Sequence, residues 1–273
     1  KNIPVILLNA RLTKKTIARW LKIKSFTKNI FNKITIAFPQ NIETNNFLKK
    51  IKVTKINFIG NLKFAQHLSE KSDRIENNLK IQFKDRKIWV ASSTHYNEEI
   101  ICAQAHILLK NKIDKLLTII IPRHIHRVPK IVSEIKKLGL KVKTRTSGRK
   151  NLNNIDIYIV DTFGETKKFH KLGSSVFLGG SFVKKGGQNP LEAARYGAKI
   201  IHGPYVDNFK DVYNLLENFK ISKKVFSSKT LASSISFNKN SMSGNRIKNL
   251  GEKILKKTIK ELNILIRNEL KKT

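Results

Sequence analysis

The sequence predicts an α/β protein: a doubly wound, Rossmann-like parallel sheet that follows the closing part of another α/β unit. Three observations carry this. From about residue 85, short apolar runs alternate with longer amphipathic stretches. The runs are continuous and rich in Ile and Val, the pattern of strands covered on both faces. No run approaches the ~20 apolar residues that span a bilayer, and strand and helix in alternation imply a sheet with right-handed crossovers.

Taken in order, KNIPVILLNARL begins with a strand over residues 3–9, a basic helix follows over 14–32, and ITIAFP (34–39) is a second strand. The polar NIETNN (41–46) is too short for a linker. Residues 1–57 thus form the end of one unit, 58–250 a second and larger unit, and 251–273 a terminal helix. In the larger unit the strands are KIWVAS (87–92), LLTIIIP (116–122), KVKT (141–144), IDIYIVD (155–161), SSVFLGG (174–180) and AKIIHG (198–203). Helices are expected at 97–110, 128–139, 164–173, 189–197 and 208–220, while 221–247 has the least regular pattern. The last helix places Leu255, Ile259, Leu262, Ile266 and Leu270 on one stripe, which is expected to pack on the protein. Residue 1 is Lys, and the chain enters a buried-looking strand at once, so an upstream portion is expected to be missing.

With 55 basic and 19 acidic residues the formal net charge is +36. Three causes fit: a compositional bias toward Lys, Ile and Asn, attraction to an anionic membrane surface, or nucleic-acid binding. The basic residues are spread along the chain and are not interleaved with aromatics as a base-stacking platform needs, which argues against specific nucleic-acid recognition. The lone Cys102 excludes an intramolecular disulfide and a cysteine metal cluster.

In doubly wound sheets ligands sit beyond the carboxyl ends of the strands, so the loops there are the candidates. SSTHYNEE (92–99) offers Ser93 or Thr94 as a cap and puts Glu98 and Glu99 in a first helical turn. His95 is either a surface residue or a donor to a ligand. PRHIHR (122–127) gathers Arg123, His124, His126 and Arg127. No nearby carboxylate or cysteine completes a metal site, and an arginine fork suits a phosphate or carboxylate. DTFGE (161–165) places Gly164 where backbone can approach a ligand. GGSFVKKGGQNPLEAARYG (179–197) combines Gly186 and Gly187 with a helix start: Asn189 as cap, Pro190 at the first position and Glu192 at the third. This is either an ordinary turn before a helix or an anion seat whose free N–H groups and Glu192 meet a nucleotide.

These pieces, with NARL (9–12), GNLKF (60–64) and GPYVDNF (203–209), occur in an order that resembles the 3-deoxy-D-manno-octulosonic acid (Kdo) transferases of Gram-negative bacteria. The resemblance implies a GT-B fold and transfer of Kdo from CMP-Kdo to the lipid A precursor (lipid IVA) at the cytoplasmic face of the inner membrane. It implies no cofactor or metal. It places the CMP moiety on Pro122, Arg123, Phe163, Gly164, Glu165, Asn189, Pro190, Leu191 and Glu192. It adds Ser93, Thr94, His95, Gly186, Gly187 and Gln188 as donor-loop candidates and gives Lys63 a transition-state role. The family usually has His where this chain has Gln188, and Gly where it has Asn97. Its general-base glutamate and membrane anchor lie in an N-terminal acceptor domain that these residues do not match. The expectation is therefore a donor-binding part that works with a separately encoded N-terminal half and transfers no Kdo alone. The alternatives are a GT-B enzyme using a UDP-sugar, or an inactive remnant that binds anionic ligands.

Overall fold

The computed structural model describes residues 3–65, 75–148 and 152–270. The chain forms two compact units: Lys1–His67 with Ile247–Thr273, and Leu68–Arg246.

The first unit opens with β1 (Ile6–Ala10), α1 (Lys14–Lys22), α2 (Lys24–Phe31), β2 (Ile36–Pro39) and α3 (Ile42–Lys50). β1 and β2 pair in parallel. The single helix expected over 14–32 is two helices, broken at Ile23 (φ −115°, ψ 53°). The hydroxyl of Thr27 donates to the carbonyls of Trp20 (2.7 Å) and Ile23 (3.0 Å), which also accept from the N–H groups of Ile23 and Thr27, so the hydroxyl ties the two helices across the break. The break lets Trp20 pack edge-on against Phe31, with ring centroids 5.5 Å apart, beside the cluster of Phe47, Leu48 and Val53. Thr13 and Asn41 cap α1 and α3 by accepting from the N–H of Thr16 and Thr44.

The second unit continues with α4 (Asn77–Gln82), β3 (Lys87–Thr94), α5 (Glu98–Lys110), β4 (Leu116–Pro122), α6 (Val128–Lys136), β5 (Val142–Thr144) and β6 (Ile157–Ile159). Then come α7 (Thr166–Leu172), β7 (Ser175–Leu178), α8 (Leu191–Arg195), β8 (Lys199–His202), α9 (Lys210–Asn218), β9 (Ser222–Lys224) and α10 (Ser228–Ser234). The seven strands are all parallel in the order β5-β6-β4-β3-β7-β8-β9. The six strands and five helices read from the sequence are all present. β9 and α10 occupy the segment expected to be irregular, where Ser227 and Thr230 close a capping box. Trp89, Ile120, Ile157, Phe177 and Ile201 carry the core through the central strands. At the amino ends, the Arg86 guanidinium donates to the carbonyls of Leu116 and Ile155 at 2.6 Å each, tying two strand starts together.

The final helix, α11 (Ser241–Leu270), starts ten residues before the expected boundary at 251. From Ile247 on it belongs to the first unit, where Leu265 joins Ile36 and Phe38. Its buried row is Ile247, Gly251, Ile254, Thr258 and Leu265. The stripe read from the sequence is therefore corrected: Ile259 and Ile266 are exposed, at 47% and 52%. The Leu270 side chain lies outside the described residues. Close approach selects the true row, since a Cβ on Gly251 would meet the Phe64 carbonyl oxygen at 1.9 Å.

Candidate functional site

The order of winding reverses beside β3: β4, β6 and β5 lie to one side, and β7, β8 and β9 to the other. A crevice at the carboxyl ends of β3 and β7 follows from that switch. The loops after β3, β4 and β7 meet there through direct contacts.

The loop after β3 bends sharply. Ser93 (φ +55°) and Asn97 (φ +69°) both take left-handed backbone, a shape Asn accepts and β-branched residues resist. Glu98, the first residue of α5, is fully buried. One carboxylate oxygen accepts from His95 N–H (2.9 Å) and Gly180 N–H (2.7 Å), the other from Ser181 N–H (3.0 Å) and Phe182 N–H (2.9 Å). Burial pushes this carboxyl above its ordinary pKa, and the four N–H groups pull it back. Every partner is a donor, so the ionised form is the one the geometry accommodates. Next to it, Glu99 takes a two-pronged contact from Arg127 (3.0 and 3.1 Å) and a bond from the Thr94 hydroxyl (3.0 Å). Arg123 donates its N–H to the Thr94 carbonyl at 2.9 Å, joining the loops after β3 and β4. Its side chain is exposed, while Pro122 is buried at the end of β4.

The rings of His95 and His124 stand 5.6 Å apart, and those of His124 and His126 5.7 Å apart. Burial, then the charges of His124, Lys185, Arg127 and Arg123, lowers the pKa of His95. Basic side chains thus gather around His95 at the mouth of the crevice.

The glycine-rich segment differs from expectation. Four of its N–H groups have protein acceptors: those of Gly180, Ser181 and Phe182 go to Glu98, and Gly187 donates to the Gly180 carbonyl at 2.9 Å. The glycines allow close packing. A Cβ on Gly186 would lie 2.5 Å from the Asn208 side chain, and one on Gly187 3.0 Å from Val206. The Gln188 carbonyl accepts from the Tyr213 hydroxyl at 2.9 Å. Asn189 does act at the helix start, its side-chain oxygen accepting from Leu191 N–H at 3.2 Å, and Pro190 and Leu191 are buried. Glu192 closes no capping box, because its carboxylate turns to the buried His170 ring of α7, with Nδ1 3.2 Å away.

The 161–165 loop sits at the carboxyl end of β6, held by its own ion cluster. Glu165 accepts from Arg145 through both oxygens (2.9 and 3.0 Å), from Lys168 (3.1 Å) and from the Thr162 hydroxyl, while Arg145 also reaches Glu76 at 2.6 Å. The hydrogen bonds from Arg145 bring the Glu165 carboxyl down to about 2. Glu165 thus offers a ligand its backbone rather than its charge. Phe163 is 79% exposed and Gly164 (φ +78°) has open space around it, so this tip presents a bare aromatic face and accessible backbone. Lys63 lies exposed on a short 3-10 turn, Leu62–Ala65, of the first unit. Glu98, Glu99 and Arg145 carry the local architecture. Sequence reasoning saw the glutamates only as first-turn acids, and their spacing from Thr94 and His95 was the available signal.

Residues 1–66 match the family model described as 3-deoxy-D-manno-octulosonic-acid transferase (kdotransferase). Over 219 residues the chain is 31% identical to the 3-deoxy-D-manno-octulosonic acid transferase of Haemophilus influenzae, covering 79% of this chain and 51% of that protein. The transferase of the same name from Rickettsia felis is 32% identical over 211 residues, covering 76% of this chain and 45% of its own length. The chain therefore spans about half the length of these curated relatives. Among solved structures, the C-terminal CMP-Kdo binding domain of WaaA from Acinetobacter baumannii matches with a TM-score of 0.54 and 23% identity, over 65% of this chain and 94% of that one. Anabaena Alr3699/HepE in complex with UDP matches with a TM-score of 0.51 and 11% identity, over 99% and 72%. Both likenesses speak for the fold, a GT-B type α/β architecture.

Proposed function

We propose, from its likeness to Kdo transferases over about half their length, that the second unit seats CMP-Kdo as the sugar donor at the carboxyl ends of β3, β4, β6 and β7. The acceptor is a lipid A precursor, reached at the cytoplasmic face of the inner membrane, with the basic surface held to anionic lipid. The observation that carries this reading is the gathering of Arg123, Lys185 and His124 around His95, built on the SSTH, PRH and glycine-rich segments at the topological switch point. Exposed Phe163 supplies a face for the cytosine ring, and the backbone of Gly164 and Glu165 supplies polar contacts at the base edge. Glu192, held beside His170, is the group for the ribose hydroxyls. Negative charge grows on the phosphate as CMP departs, and Arg123 answers it by position and permanent charge. By family resemblance Lys63 contributes a further cation. Neither a metal nor a cofactor enters this scheme.

The test is nucleotide competition on the 273-residue chain. CMP should raise the melting temperature, UDP should raise it less, and Arg123→Ala should remove most of the CMP effect. Equal shifts with CMP and UDP would move the reading to a UDP-sugar enzyme. No shift with either, together with DNA affinity that falls steeply with salt, would make the chain a basic binding protein.

A further inference from the structure

Glu98 contacts no residue of the proposed ligand rim through its side chain except the backbone of His95, yet it is the most heavily bonded carboxylate of the switch point. It receives two N–H donors on each oxygen, three of them from the loop after β7 and one from the loop after β3. The helix it begins also returns a bond: Glu98 N–H donates to the His95 carbonyl at 2.9 Å, so residues 95 and 98 are clamped reciprocally. Glycine at 179 fits this arrangement, because a Cβ there would lie 2.4 Å from the Ser93 carbonyl oxygen and 2.8 Å from the Glu98 carboxylate. Consecutive N–H groups converging on one point make a cradle for an anion. Here the protein fills the cradle with its own side chain.

We propose that Glu98 is the positioning residue of the donor seat. Its carboxylate occupies the amide cradle of residues 180–182 and so fixes both switch-point loops, leaving the ligand phosphate to the side chains of His95, Arg123, His124 and Lys185. This inference rests on the donor reading above, and adds to it that the amides of residues 180–182 are not the phosphate seat. The cost of an empty cradle follows directly. Without Glu98, four buried N–H groups lose their acceptor, the loops lose their common tie, and the cradle competes for anions that belong on the rim.

The experiment uses the full 273-residue chain as wild type, Glu98→Ala and Glu98→Gln. CMP affinity is measured by calorimetry, with sodium formate or with sodium chloride at equal ionic strength. Amide hydrogen exchange of Gly180, Ser181 and Phe182 is followed in parallel. Glu98→Ala should weaken CMP binding by about tenfold or more (~1.4 kcal/mol) and speed exchange at the three amides. Formate, a free carboxylate that enters the vacated cradle, should restore both, and chloride should not. Glu98→Gln places an NH2 against two N–H donors, so affinity should fall several-fold with no response to formate, because the space is still filled. Wild-type affinity in Glu98→Ala, unaltered exchange at 180–182, or a loss that formate cannot repair would each overturn the proposal. Should Glu98→Ala fail to fold, unchanged affinity in Glu98→Gln would overturn it instead. If the wild type itself binds no CMP, the donor reading falls, and the exchange and formate results on the ligand-free chain still decide the role of Glu98.

Discussion

The Arg145–Glu165 pair gives a prediction whose size follows from geometry. Arg145 is buried and makes both of its Glu165 contacts at 3.0 Å or less. Folding lowers the Glu165 carboxyl from 4.5 to about 2. At ~1.4 kcal/mol per pH unit that difference is worth roughly 3 kcal/mol. The Glu76 carboxylate is 34% exposed, so water reaches part of the cluster, and about 2 kcal/mol is the expected net coupling after screening. The assay is a double-mutant cycle of Arg145→Met and Glu165→Gln in a Trp20→Phe background, with urea unfolding read by the emission of buried Trp89. Arg145→Met alone should cost about 3 kcal/mol or more, because it strands a carboxylate. The sign with pH is fixed: a carboxyl lowered by folding stabilises fully above 4.5 and loses that contribution as pH falls toward 2. The coupling should therefore shrink by roughly a third to a half between pH 7 and pH 3.5. A coupling below about 0.5 kcal/mol, or one that does not change over that interval, would refute the reasoning. Loosening this cluster should also weaken CMP, since Phe163 and Gly164 hang from it.

Three further outcomes are expected. His106 is buried, its Nδ1 is 2.8 Å from the Thr118 hydroxyl, and burial lowers its pKa from 6.5 to about 4. The unfolded chain binds that proton first, so stability should fall by up to roughly 3 kcal/mol as pH drops from 6.5 to 4, and His106→Asn should flatten the urea midpoint over this range. Gly203→Ala puts a Cβ 2.4 Å from the Ser181 carbonyl oxygen, a backbone clash that no rotamer relieves; a loss of about 2–3 kcal/mol is expected, and a wild-type midpoint would contradict it. Cys102 is fully buried, and burial next to Glu98 and Glu99 pushes its thiol well above its ordinary pKa; it should react with a thiol reagent only at the rate of unfolding, and rapid labelling of the native chain would contradict that.

The sheet was legible because its strands are short, continuous and apolar, a signal that depends on each strand alone. LLTIIIP at 116–122 is the clearest example and became β4 without change of bounds. The break at Ile23 was not legible, since it depends on the Thr27 hydroxyl, which the apolar pattern does not weigh, and on the contact between Trp20 and Phe31. The stripe on α11 failed for a related reason: leucine and isoleucine at helical spacing marked one row, while a glycine facing the Phe64 backbone chose another. At the site, residue types were readable and their partners were not. Gly186 and Gly187 looked like a cradle, but which N–H groups remain free depends on Gly180 and on Glu98, 82 positions away in sequence. Glu165 and Glu192 were chosen for their charge; Arg145 answers that of Glu165, and Glu192 turns to the His170 ring of another element.

The path of the chain bears on how it is made. Ile36 and Phe38 leave the ribosome well before Leu265 and Leu262 of α11, which pack on them. Synthesis proceeds from the N-terminus, and domains generally fold as they appear. The parallel sheet between can close on itself while β2 still waits with one face uncovered. Contacts so far apart in sequence form slowly, so the first unit is completed only after the sheet it brackets in sequence, and loss of α11 would be felt at β2.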